Sequence, residues 1–216
     1  MITLKKNKHK IPQPTLMRLC KTYALLEEMQ DKGESSLSSR EIGNRLGVGS
    51  HNIRKDMGFL DQAGTSGTGY DITAIKESIK ETLGFNRIRN ACVIGLGNLG
   101  SLIINNSVMP LPCFSIVAGF DSSINTLETV KTAVPVYPTY EIPSILKQHH
   151  IELAIIAEKD LNINAIIERL IDGDIKVIIN FTPLLLNSLD KSVFIKNIDI
   201  YSEFRYVSAM LTISGK

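Results

Sequence analysis

Gly95-Leu96-Gly97-Asn98-Leu99-Gly100 follows directly on the apolar run Ala91-Cys92-Val93-Ile94 and opens a segment of helical periodicity, Leu99 to Ser107. A G-x-G-x-x-G turn between a strand and a helix is the setting in which this pattern rises above chance. Gly95 permits a tight turn, Gly97 lets the backbone approach a pyrophosphate, and Gly100 lets helix and strand pack closely. The phosphate charge would meet the N-terminus of the helix. Asp121 closes the next apolar run, 21 residues beyond Gly100. A carboxylate there can accept hydrogen bonds from ribose hydroxyls and would repel a 2′-phosphate, so the expected ligand is NAD(H) rather than its phosphorylated relative.

Downstream of the turn the pattern is regular. Short β-rich runs at 91–94, 115–120, 153–157 and 177–180 alternate with helical segments at 99–107, 142–149 and 162–172. Alternation of this kind predicts a parallel sheet, and the runs are near-continuously apolar, as strands covered on both faces should be. Residues 85–200 are therefore expected to form a Rossmann-type, doubly wound α/β domain. Residues 201–216 are expected to end the chain with a helix carrying Phe204, Val207, Met210 and Leu211.

Residues 1–84 read differently. A helix is expected from Thr15 to Met29, then a loop from Gly33 to Ser39. Ser38 followed three residues later by Glu41 is a capping-box pattern that opens a short helix through Leu46. Gly47-Val48-Gly49 makes a turn, and Ser50 is placed to cap a further helix, His51 to Ala63. In that helix Ile53, Met57 and Leu60 face inward, while Asn52, Arg54, Lys55 and Asp56 are left to solvent. Gly64 to Tyr70 reads as a glycine-rich wing, and Ile72 to Gly84 as another helix. Two helices joined by a turn and followed by a wing form a DNA-binding winged helix-turn-helix, with the helix from His51 in the major groove. Asn can pair with adenine, Arg with guanine, and Lys with a base edge or phosphate. Ser50, His51, Asn52, Arg54 and Lys55 are thus candidate contacts, joined by Gly67, Gly69 and Tyr70 of the wing and by a basic arm ending at Lys10. Charge supports this division. Residues 1–89 carry 15 Lys and Arg against 10 Asp and Glu, whereas the remainder carries 9 against 12.

Composition limits the other classes. At 216 residues, 44% hydrophobic and 21% charged, the chain has room for two packed domains. No apolar run approaches the roughly 20 residues of a membrane-spanning helix, and Met1 to Lys10 lacks the apolar stretch of a signal peptide, so the cytoplasm is the expected compartment. Cys20, Cys92 and Cys113 form no CxxC pair and suggest neither metal nor disulfide. His149-His150 is the one obvious general-base pair for a small dehydrogenase, but the residues after the glycine turn leave no separate substrate domain. No catalytic residue is assigned.

Taken together, His51-Asn52-Ile53-Arg54-Lys55-Asp56, the Gly67-Thr68-Gly69-Tyr70 wing, Gly95 to Gly100 and Asn180-Phe181-Thr182-Pro183 resemble the Rex family of redox-sensing transcriptional repressors. The likeness covers nearly the whole chain. It implies a homodimer in which each C-terminal helix is swapped onto the other subunit, a palindromic operator in double-stranded DNA, and DNA affinity set by the NADH/NAD+ ratio. It also implies cofactor contacts from Asn180, Thr182 and Pro183, and a switch role for Asp199. The resemblance departs at Ala157-Glu158-Lys159-Asp160, where the family has a Val-Pro-Ala-like turn, and at Asn106, where it has a tyrosine. Two carboxylates would then stand near the pyrophosphate. A second reading therefore keeps DNA binding with a weak or altered nucleotide response.

Overall fold

The computed structural model describes residues 11–60, 69–105, 111–158, 162–187 and 192–214, and the chain separates into two units, Met1–Arg87 and Ile88–Lys216. In the first unit α1 (Gln13–Asp31) is followed by β1 (Ser36–Leu37), α2 (Ser39–Leu46), α3 (Ser50–Met57), β2 (Tyr70–Asp71) and α4 (Ile72–Leu83). Both arms of the capping box at α2 form: Ser38 Oγ accepts from Glu41 N at 3.2 Å, and Glu41 Oε2 accepts from Ser38 N at 2.7 Å. Gly47 ends α2 in the left-handed region at φ 68°. Leu19, Leu26, Ile42, Ile53, Ile75 and Ile79 pack the centre of this unit. β1 and β2 pair antiparallel with Leu37 opposite Tyr70, so the C-terminal end of the wing is tied to the segment between α1 and α2.

Two expectations for α3 need correction. Gly49 rather than Ser50 is its N-cap residue, and no side chain caps it. The helix stops at Met57, because Gly58 follows and the next bonds tighten to i−3 spacing, Phe59 N to Asp56 O and Leu60 N to Met57 O, each 3.0 Å. Residues 61–63, placed at the end of this helix by the sequence, lie outside the described residues, as do 64–68 of the wing.

The second unit is built as β3 (Arg89–Ile94), α5 (Asn98–Ile104), β4 (Phe114–Asp121), α6 (Ile124–Thr129), β5 (Val136–Pro138), α7 (Ile142–Gln148), β6 (Ile151–Ile156), α8 (Ile163–Asp172), β7 (Val177–Asn180), β8 (Phe194–Asn197) and α9 (Ile200–Ile213). Its six strands are all parallel in the order β5-β4-β3-β6-β7-β8. Numbered within the unit this is 3-2-1-4-5-6, the dinucleotide-binding order, and it reverses direction between β3 and β6. Alternate residues of β3 serve opposite faces: Cys92 and Ile94 pack with Phe120, Ile166 and Leu170, whereas Ala91 and Val93 pack with Ile103, Ile104 and Leu153. That two-sided burial explains the unbroken apolar runs. The edge strands β5 and β8 and the helix α6 carry no such signal. β5 is three half-buried residues ending in Pro138, β8 alternates exposed and half-buried positions, and α6 buries nothing and is held by its cap, Ser123 Oγ accepting from Thr126 N at 3.2 Å.

α9 stands apart from this packing. None of its residues is buried, and Tyr201, Phe204, Val207, Met210 and Leu211 are all exposed.

Candidate functional site

The glycine turn sits at the C-terminal end of β3, at the switch point where α/β sheets of this order hold their ligands. Gly95 has φ +83°, which a side chain rarely tolerates, and its N–H donates to Phe120 O at 2.8 Å. A Cβ on Gly100 would collide with the Gly95 carbonyl oxygen, so strand and helix meet at the distance only glycine allows. Gly97 is the N-cap residue of α5, and Asn98 and Leu99 are its first helical residues. Glu158, two residues past β6, closes the other side of the turn. A Cβ on Gly97 would lie 2.5 Å from Glu158 Oε2.

Asp121 is placed at the end of β4 as expected, and its carboxylate bonds to the turn itself. Oδ2 accepts from Leu96 N at 2.7 Å, Oδ1 accepts from Ser123 N at 2.8 Å, and the residue is only 6% exposed. Charge-assisted bonds to backbone N–H groups fix the turn's shape, which is a bracing role.

In the Asn180-Thr182-Pro183 segment two of the three side chains are engaged within the fold. Asn180 is 0% exposed, and its amide is spent within the fold: Nδ2 donates to Leu184 O at 2.7 Å and to Asn197 Oδ1 at 2.8 Å, while Oδ1 accepts from Thr182 N at 3.0 Å. Thr182 is buried, and its Oγ1 accepts from Leu184 N at 3.3 Å. Of the three expected cofactor contacts only Pro183 is exposed. Asp199 caps α9, with Oδ1 accepting from Ser202 N at 3.0 Å and Oδ2 from Ser202 Oγ at 2.5 Å. The Ser202 hydroxyl bond, followed by the Ser202 backbone bond, holds the Asp199 carboxyl below the usual carboxylate range. Asn106 and Asp160 lie outside the described residues.

In the first unit, His51, Arg54 and Lys55 share the exposed side of α3, with Ser50 and Asn52 half-buried beside them. Arg54 Nη1 donates to Ser39 Oγ at 3.3 Å and Ser50 Oγ at 3.4 Å, a loose seat that leaves the guanidinium on the surface. Asp56, expected at the solvent, is instead 2% exposed and paired with Arg18 of α1. Tyr70 likewise belongs to the core at 6% exposed, packed as the wing's anchor rather than presented to a partner. Gly69 adopts φ +97°, with Lys10 and Gly67 outside the described residues. Arg18 is the residue the sequence reading missed. Its signal was a charge beside the buried positions Thr15, Leu19 and Thr22, where a cation needs a partner.

Two families match the chain in succession: "Putative DNA-binding protein N-terminus" over residues 10–58 and "CoA binding domain" over residues 86–184. The Redox-sensing transcriptional repressor Rex of Lactiplantibacillus plantarum is 33% identical over 196 residues, 91% of this chain and 87% of that relative. The chain belongs to the Rex family. The Rex of Limosilactobacillus reuteri is 30% identical over 91% of both chains. Among solved structures, RSP, a Rex-family repressor, superposes with a TM-score of 0.83 at 26% identity, covering 96% of this chain and 98% of that one. RSP in complex with NAD+ and operator DNA superposes with a TM-score of 0.85, also at 26% identity, covering 96% of this chain and 95% of that one. Both halves of this chain, the helix-turn-helix and the parallel sheet, therefore have counterparts in one known molecule.

Proposed function

We propose that this Rex-family chain is a DNA-binding transcriptional repressor whose operator affinity responds to the NADH/NAD+ ratio. The observation that carries the reading is the union in one chain of an exposed Arg54-Lys55 pair on α3 and a glycine turn at a sheet switch point. The relative RSP was crystallised with NAD+ and operator DNA together. Backbone N–H groups of Gly97 to Gly100 would hold the pyrophosphate, with Asp121 keeping the turn in shape. The cofactor would supply only its redox state, and the protein the differential affinity that a two-state switch requires. Arg54 and Lys55 would read base edges and phosphates in the major groove.

α9 supports a homodimer. A 14-residue helix exposing Tyr201, Phe204, Val207, Met210 and Leu211 has its apolar face left for another surface, and a second copy's α/β unit is the proposed seat. Two copies would present two recognition helices, matching half-sites about 34–36 Å apart in a palindromic operator. The working place of such a regulator is the cytoplasm, and no enzymatic step is assigned to it; His149 and His150 lie at the opposite end of β6 from the glycine turn. Gel shifts on the protein's own promoter region, with and without NADH, test both halves together. Loss of the shifted band on adding NADH is expected; an unchanged band would favour a Rex that binds DNA without sensing, the reading that Glu158 keeps alive.

A further inference from the structure

We infer that Glu158 sets how tightly this chain holds a dinucleotide, because its carboxylate stands where the pyrophosphate must go; the inference rests on the dinucleotide reading of the glycine turn. The backbone places it there. Ala157 N donates to Ile94 O at 2.9 Å, tying the end of β6 to the end of β3 immediately before Glu158. A Cβ on Gly95 would collide with Glu158 Cβ and would stand 3.0 Å from its N and 3.1 Å from its Cα, so the two chain segments touch. The side chain then runs along the turn until Oε2 lies over Gly97, the position the motif keeps bare for close approach of a phosphate.

The carboxylate thus puts negative oxygen on the same surface a pyrophosphate would use. Two like-charged groups cannot share it: at a separation of about 4 Å their repulsion stays substantial even with the effective dielectric of a protein surface. Dinucleotide binding therefore requires Glu158 to swing off the turn, and the repulsion it still exerts raises the concentration of NADH at which the protein responds. Glu158 is in this sense a residue that sets the sensing threshold.

The test compares the full-length wild type with E158Q and E158A, titrated with NADH by cofactor fluorescence and with ADP-ribose and adenosine by calorimetry. E158Q keeps the shape and removes the charge, and is expected to tighten NADH and ADP-ribose by about tenfold, a change of about 1.4 kcal/mol, while adenosine, which has no phosphate, is unaffected. The gap between wild type and E158Q should narrow from about 10 mM to 1 M salt as the Debye length shrinks. Equal NADH affinity in wild type and E158Q overturns the inference and leaves the dinucleotide reading standing. Tightening in E158A alone, or equal tightening of adenosine, also overturns it, since bulk and not charge would be the cause. If none of the three proteins binds NADH below about 1 mM, the dinucleotide reading falls with it. Saturable binding in E158Q alone supports the inference in its strongest form.

Discussion

Arg18 grips both carboxylate oxygens of Asp56, Nε to Oδ2 and Nη2 to Oδ1 each at 2.7 Å, and so fastens the recognition helix α3 to α1. The hydrogen bond to Asp56 outweighs desolvation and raises the Arg18 guanidinium further above its usual range. Removing the cation leaves a nearly water-free carboxylate without its partner. R18A is expected to cost about 3 kcal/mol of stability, at the low end for a broken buried pair because Arg18 is 24% exposed. Urea unfolding checks this. R18L combined with D56L should recover most of the loss, since replacing both charges with apolar groups leaves none stranded.

Arg54 and Lys55 should fail in different ways. R54A is expected to lose about 1–3 kcal/mol of operator affinity and to relax preference at one base position, whereas K55A should weaken all sequences alike and reduce the salt slope by about 1. Fluorescence anisotropy on the operator and on single-base variants, across a salt series, separates the two.

Asp121 gives a test of bracing against ribose binding. D121A would deprive the Leu96 and Ser123 N–H groups of their acceptor, at about 1–3 kcal/mol for a buried donor left unsatisfied. The ligand-free protein should therefore melt earlier. A variant that keeps its ligand-free melting temperature and loses only NADH affinity would favour the ribose role over bracing.

Thiol chemistry should separate the cysteines. Burial pushes the Cys92 thiol far up, out of reach of physiological pH, whereas Cys20 lies at the surface of α1. An aromatic disulfide reagent at pH 8 is expected to modify Cys20 in the native protein and Cys92 only after denaturant is added.

The cap of α9 gives a pH dependence of defined sign. Because hydrogen bonds from Ser202 hold the Asp199 carboxyl below its unfolded value, its contribution is complete above that unfolded value and disappears as pH falls through the lower folded one. Protection of the Ser202 amide, measured as exchange relative to an unstructured peptide at the same pH, should fall on acidification below about pH 4, and D199A should show low protection at every pH.

How much of this was readable in advance follows from where each signal came from. β3, β4, β6 and β7 were legible because cover on both faces favours a nearly continuous apolar run, and α2 because Ser38 and Glu41 must sit three apart to satisfy each other. β5 and β8 were not, since an edge strand needs only one neighbour and tolerates Pro138 or Lys196. The glycine turn was read correctly in backbone terms, but the direction of a side chain was beyond the pattern. The pattern placed Asp121 and Asn180 at the ends of their strands but could not show that each also bonds groups a few residues away. Asp56 read as solvent-facing because its partner lies 38 positions earlier, on a helix whose own periodicity gave no hint of the pairing.

α9 changes what stability means for this protein. A helix of 14 residues is near the limit at which it persists alone in water, and this one buries nothing within its own unit. In the proposed dimer its order would be supplied by another surface. If that surface belongs to a second copy, folding of the last segment becomes second order in protein, and the melting temperature climbs with concentration. A cell making too few copies would then hold chains whose sticky tails are open to proteases, so that abundance itself would decide how much working regulator survives.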